Sequence, residues 1–151
     1  MLKRDLTTSY PRSVRDDSLG VVQLARAVDK GIATANGLQG EYNYDCPMDN
    51  GVFGFLGIDG KKLLDVIKNA QSESEVEAYL KPFVEKKTTQ ERQAFNTEFL
   101  SHGPDPGSDA EKYFLDLRNQ AAPDRADVTK WADLLDLDEK RNVPRRTAVG
   151  V

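Results

Sequence analysis

What most constrains this chain is a series of helix-start signals spaced along its second half and the stretch just before it. Asp59, Ser72-Glu73-Ser74-Glu75, Thr88-Thr89-Gln90-Glu91, Ser108 with Glu111, and Asp127 each place a side-chain oxygen where a helix leaves its first N–H groups unpaired. An apolar stripe at helical spacing follows each one. The stripes are Leu63, Leu64, Val66 and Ile67; Val76, Tyr79, Leu80 and Phe83; Phe95, Phe99 and Leu100; Tyr113, Phe114, Leu117 and Ala121; and Val128, Trp131, Leu134 and Leu135. No alternating strand pattern of useful length interrupts them. The expectation is an all-α fold, a compact single-domain bundle of about six or seven short to medium helices.

The first third reads the same way. Val21, Leu24, Ala25, Val28, Ile32 and Ala35 predict a first long helix over about Ser18 to Asn36, with Asp16, Asp17 or Ser18 as its cap and Gly37 as its left-handed stop. Gly31 inside that helix costs up to ~1 kcal/mol against alanine, which points to a close neighbour. Val52, Phe53, Phe55 and Leu56 predict a short helix ended by Gly57. Pro82 lies too deep for a first turn, so its helix is expected to kink or to end near Leu80. Gly103-Pro104-Asp105-Pro106-Gly107 reads as a loop, and Pro123 as a helix stop. The resulting layout is an N-terminal arm over 1–17, a helical domain over 18–142 and a flexible tail over 143–151.

Charge narrows the partners. A net charge of −4 argues against nucleic acid and anionic membrane, which basic faces hold. No apolar run approaches the ~20 residues of a membrane span, and the start turns polar before a signal-peptide core could form. A cytoplasmic protein is expected. The single cysteine, Cys46, agrees with a reducing compartment.

Several short strings together resemble one family. They are Pro11-Arg12-Ser13, Arg15-Asp16, Leu19-Gly20, Leu24-Ala25-Arg26, Asp29-Lys30, Gly40-Glu41-Tyr42, Cys46-Pro47-Met48-Asp49 and Trp131-Ala132-Asp133-Leu134-Leu135-Asp136. The chain resembles the bacterial proteins grouped as domain of unknown function 5069, over about Asp5 to Asp138. The resemblance implies a small, single-domain, cytoplasmic bacterial protein and carries over no activity. Where that family often has a second glycine after Gly20 this chain has Val21, and where it often has histidine this chain has Asn43. No acid–base role transfers to position 43.

Candidate chemistry gathers around the connector Gly40 to Asp49. Residues 37–59 hold Glu41, Asp45, Asp49 and Asp59 without a Lys or Arg, whereas residues 1–36 carry a net positive balance. Arg12, Arg15, Arg26 and Lys30 could converge on a phosphate or carboxylate ligand, with Glu41, Tyr42 and Tyr44 completing a polar site. The plainer reading pairs those cations with Glu41, Asp45 or Asp49, and it is favoured. Cys46 before Pro47 is a weak candidate nucleophile, more simply a small buried hydrophobe. Glu41, Asp45 and Asp49 could offer oxygens to a metal, but the calcium-loop pattern is absent. His102 reads as a helix-end cation and the run Asp133, Asp136, Asp138, Glu139 as a solvated helix end. The sequence implies no metal and no cofactor. A binding or interaction module leads, its partner an anionic small molecule or a protein. The alternatives are an enzyme using Cys46 or the carboxylates, and an oligomeric scaffold without a small ligand.

Overall fold

A computed structural model describes residues 1–146. Among these residues seven α-helices form: α1 (Leu24–Asn36), α2 (Pro47–Leu56), α3 (Gly60–Asn69), α4 (Glu73–Glu85), α5 (Thr89–Leu100), α6 (Asp109–Ala121) and α7 (Trp131–Asp138). No strand is present among the described residues; a lone bridge joins Ser18 and Val21. Packing separates two compact units, Met1–Asn96 and Thr97–Val151, and the division falls inside α5.

In the first unit, α1 delivers Leu24, Ala27, Val28 and Ile32 to a core shared with Val52, Phe53 and Leu56 of α2, Leu63 and Ile67 of α3, and Val76, Leu80 and Val84 of α4. Each fully buried Leu, Ile or Phe of this kind contributes about 1.5–3 kcal/mol. Close approach of α1 to α3 explains Gly31. A Cβ built there would lie 2.7 Å from Ile67 Cδ1 and 3.1 Å from Tyr44 Cε1. Gly31→Ala gains about 1 kcal/mol of helix propensity but forces an overpacked site costing about 1–3 kcal/mol. The variant is expected to be about 1 kcal/mol less stable in urea denaturation; a more stable variant would contradict this packing.

The first helix is shorter than its stripe suggests. It starts at Leu24, not Ser18, because other bonds pull residues 18–23 out of helical geometry. Leu19, Gly20 and Gln23 all have positive φ (55°, 83° and 68°). Ser18 and Val21 exchange backbone bonds of 3.1 and 3.0 Å, and Gln23 N donates to Val14 O at 2.9 Å. The Asn96 side chain accepts from Val22 N at 3.1 Å and donates to Gly20 O at 2.9 Å. Asp16 and Asp17 cap the turns at Ser13 and Gly20 instead of the helix. Gly37 does end α1 in the left-handed conformation.

Pro82 is carried inside α4, which runs on to Glu85. Pro82 and Ala78, whose carbonyl loses its partner, both face water, and the extra turn buries Val84. Thr88 and Glu91 form the full reciprocal cap of α5, at 3.0 Å each way. The box at Ser72 is not made: the Glu75 carboxylate accepts from Gln71 N, one residue before the cap position, at 2.9 Å, and the Ser72 hydroxyl does not cap. Phe95, Phe99 and Leu100 are half-buried, and Phe95 stacks on Phe55 at 4.2 Å.

The second unit packs α6 against α7 around Phe114, Val128, Leu134 and Val143, with the Trp131 ring edge-on to Phe114 at 5.0 Å. Tyr113, expected on the inner stripe of α6, is 62% exposed. Asp127 does not cap α7, which begins at Trp131; its carboxylate accepts from Arg125 Nε and Nη2 at 3.0 and 3.1 Å and from Arg146 N at 2.8 Å. Of the acidic run only Asp138 is exposed. Asp133, Asp136 and Glu139 are buried, Asp133 paired with Arg146 and the other two with Arg141. Of the stretch expected as a tail, Val143 is buried and Arg145 pairs with Asp124, while residues 147–151 lie outside the described residues.

These pairs make the second unit acid-sensitive. Bonds from Arg125 and from Arg146 N hold the Asp127 carboxyl well below the usual carboxylate range, and Arg145 lowers that of Asp124. A lowered folded value means the stabilisation is present above the unfolded value of about 4 and is lost as pH falls below it. Fluorescence of Trp131, the one tryptophan and part of this core, is expected to change on acid titration only below about pH 4. A transition centred near pH 6 would contradict the assignment.

Candidate functional site

Arg26, Asp29 and Lys30 lie one helical turn apart on α1, so they share a face, and all three are buried. That face receives the arm on one side and the connector on the other. Leu6 N donates to Leu38 O at 2.9 Å, and Gly40, at φ 59°, lets the two backbones meet where a Cβ would sit 2.8 Å from Leu6 O.

Asp29 is the anchor of the arm. Its carboxylate accepts from Arg12 N at 2.8 Å, Arg12 Nε at 3.0 Å, Arg12 Nη2 at 2.9 Å and Arg4 Nε at 3.2 Å. The hydrogen bond to Asp29 raises the Arg12 pKa still further. Arg4 also pairs with Glu73 of α4, and Arg12 lies 3.7 Å from the same carboxylate. Arg26 donates from Nη1 to Arg12 O at 3.2 Å, and its guanidinium stands over the Tyr42 ring at 5.5 Å.

Asp49 anchors the connector. Lys30 Nζ lies 2.8 Å from Asp49 Oδ2, 3.0 Å from Asn43 O and 3.3 Å from Cys46 Sγ, so its three protons have three acceptors. Asp49 also accepts from Gln23 Nε2 at 2.9 Å, Asp45 N at 3.0 Å and Cys46 N at 3.4 Å. Cys46 caps α2 with Pro47 in its first turn, and the reach of Asp49 back to Cys46 N completes a capping box. The thiol is half-buried. Tyr44 donates its hydroxyl to Gly60 O at 2.6 Å, and burial pushes that hydroxyl's pKa far up.

Of the seven residues expected to form a ligand site, Arg12, Arg26 and Tyr42 touch one another in sequence, Lys30 is locked to the connector, and Tyr44 is tied to the start of α3. Arg15 and Glu41 are exposed. Arg12 stands beside a crevice of about 10 Å³, lined also by Ser18, Glu73 and Val76, which holds about one water. Among the described residues no group of three His, Cys, Asp or Glu side chains could hold a metal ion. His102 is exposed, its backbone oxygen accepting from Trp131 N at 3.1 Å.

Sequence reasoning missed Arg4, Gln23 and the role of Asp29. One signal was available: Asp29 falls on the same helical line as Val22 and Arg26, so an acid and a base share a line with apolar side chains.

Fold and site define a small all-α protein whose polar belt is clamped from within by two buried carboxylates. The chain matches the family model of the domain of unknown function DUF5069 over residues 8–141, and it belongs to that family. No curated protein matches it. Among the described residues no helix is long and apolar enough to cross a membrane.

Proposed function

We propose that the chain is a small binding or interaction module that meets a partner protein with the arm–connector face of its first unit. One observation carries this reading. Asp29 and Asp49 tie an irregular, polar segment to α1 and α2 through buried carboxylates, leaving Tyr10 at 49% exposure, the Arg12 side chain at 39%, and Arg15 and Glu41 exposed on it. Tyrosine and arginine dominate contact energies at protein interfaces, and a face already ordered loses little entropy on binding. The crevice at Arg12 is too small for a metabolite, so a surface partner is favoured over an anionic small molecule. A bacterial, cytoplasmic setting fits this reading, with the single cysteine in reduced form.

The test has two arms. Partners retained by the full chain are compared with those retained by Tyr10→Ala/Arg15→Glu; a protein kept by the first and lost by the second supports the reading. Thermal-shift screening of metals, nucleotides, phosphorylated metabolites and amino acids is expected to be silent. A melting-temperature rise with an anion that disappears in Arg12→Ala would contradict it in favour of a small-ligand site.

A second reading, catalysis through Cys46, rests on the 3.3 Å contact of its sulfur with Lys30 Nζ and on the Asp49 N–H directed at that sulfur at the start of α2. These donors face the place where thiolate charge would sit. On this reading iodoacetamide labels Cys46 several-fold faster in the native chain than in Lys30→Met/Asp49→Asn, a pair chosen to leave no buried charge unmatched. Equal rates in two folded proteins would exclude it.

A further inference from the structure

The second unit holds a groove already occupied by a short basic segment of the same chain. Val143 is buried among Phe114, Val128 and Leu134. Either side of it the segment is read as an extended ligand would be, through its backbone: Arg125 Nη2 donates to Pro144 O at 3.2 Å, and Arg146 N donates to Asp127 Oδ2 at 2.8 Å. Its two arginines meet carboxylates. Arg145 Nη2 is 2.7 Å from Asp124 Oδ2, and Arg146 Nε and Nη2 reach the two oxygens of Asp133 at 3.2 Å each. Arg125, itself forked on Asp127, fixes that carboxylate for the incoming N–H.

The groove and the segment that fills it come from different parts of the chain. Phe114, Asp124, Arg125, Asp127, Val128, Asp133 and Leu134 all lie within the residues matched by the family, 8–141, whereas the filling segment, 143–146, follows them. We infer that this groove is a docking site for a partner's short segment of the pattern apolar residue, proline, arginine, arginine, and that Val143–Arg146 occupies it in cis. The apolar residue enters the Phe114–Val128–Leu134 pocket, the backbone pairs with Arg125 and Asp127, and the arginines read Asp124 and Asp133. A tethered segment competes at high effective concentration, so an outside peptide gains access only when the tether's own contacts are weakened.

The experiment uses the full chain and a fluorescent peptide of the sequence of residues 141–146, followed by anisotropy. Two full-length variants release the segment. Arg145→Gly/Arg146→Gly removes side chains that are 64% and 42% exposed, although it takes Arg146 from the buried Asp133; Val143→Ser/Arg145→Ser/Arg146→Ser also removes the apolar anchor. Both are checked for wild-type helicity by circular dichroism. At least one folded variant is expected to bind the peptide tenfold or more tightly than wild type. Peptides with both arginines changed to serine, or the valine to aspartate, are expected to lose that binding tenfold. Equal binding by folded variants and wild type would overturn the assignment, as would undiminished binding of the altered peptides. A wild-type dimer that the peptide dissociates would make a second copy the occupant and overturn it too.

Discussion

Asp49→Ala is expected to destabilise the chain by about 3–5 kcal/mol, because it strands the Lys30 ammonium in the interior. The Lys30 and Asp49 side chains are 5% and 0% exposed, so water cannot replace the lost carboxylate without opening the connector. The same change removes the acceptor for Asp45 N, Cys46 N and Gln23 Nε2. For a chain of this length each kcal/mol corresponds to roughly 2–4 °C, so the melting temperature should fall by about 10 °C. A shift of a degree or two would mean that Lys30 finds solvent easily and that the buried pair is not what holds residues 43–49.

Asp29→Ala is expected to cost less, about 2–3 kcal/mol, although the carboxylate accepts as many bonds as that of Asp49. The difference lies in the partners. Arg4 and Arg12 are 35% and 39% exposed at their side chains, so their charges rehydrate once released. What is lost is the arm's order. Trypsin is expected to cut after Arg12 or Arg15 severalfold faster in Asp29→Ala than in wild type, while cutting elsewhere changes in proportion to global stability. Unchanged cutting in the arm would show that Leu6, Val14 and the backbone bonds of residues 6 and 23 suffice to hold it.

The legible parts of the fold are those where one local rule acts alone. Asp59, Thr88 and Ser108 cap their helices as their positions predict, Gly37 and Gly57 stop theirs, and Gly31 marks the α1–α3 approach. The misread parts are those where distant groups compete for the backbone. Asn96, remote in sequence, takes the N–H of Val22 and holds residues 18–23 out of helix. Arg125 and Arg146 draw Asp127 away from a capping role. Of the two outcomes expected at Pro82, an end near Leu80 does not occur, since burial of Val84 rewards a helix that continues past it. The acidic run of α7 looked solvated because Arg146, which neutralises Asp133, lies in a segment that composition marks as a tail, and because adjacency in sequence does not show that Arg141 folds back on Asp136 and Glu139.

The polar belt was half legible. Charge balance between residues 1–36 and 37–59 foretold that the two would be mates, and the favoured internal pairing named Asp49 correctly. It did not include the partner of Arg12, whose carboxylate is Asp29 on α1. Spacing along one helix cannot show which segment will be laid across it; the arm's path is set by Leu6 on Leu38 and by the room left at Gly40.

The order of the connector depends on whether the Lys30–Asp49 pair is a coupled, buried clamp. A double-mutant cycle of Lys30→Met, Asp49→Leu and their combination, followed by urea denaturation, answers this. Each single change leaves a buried charge without its counter-ion, so the double variant is expected to lose less than the sum of the two singles, with a coupling of about 2 kcal/mol or more. Losses that simply add would contradict the clamp and, with it, the ordered face on which the proposed partner binding depends.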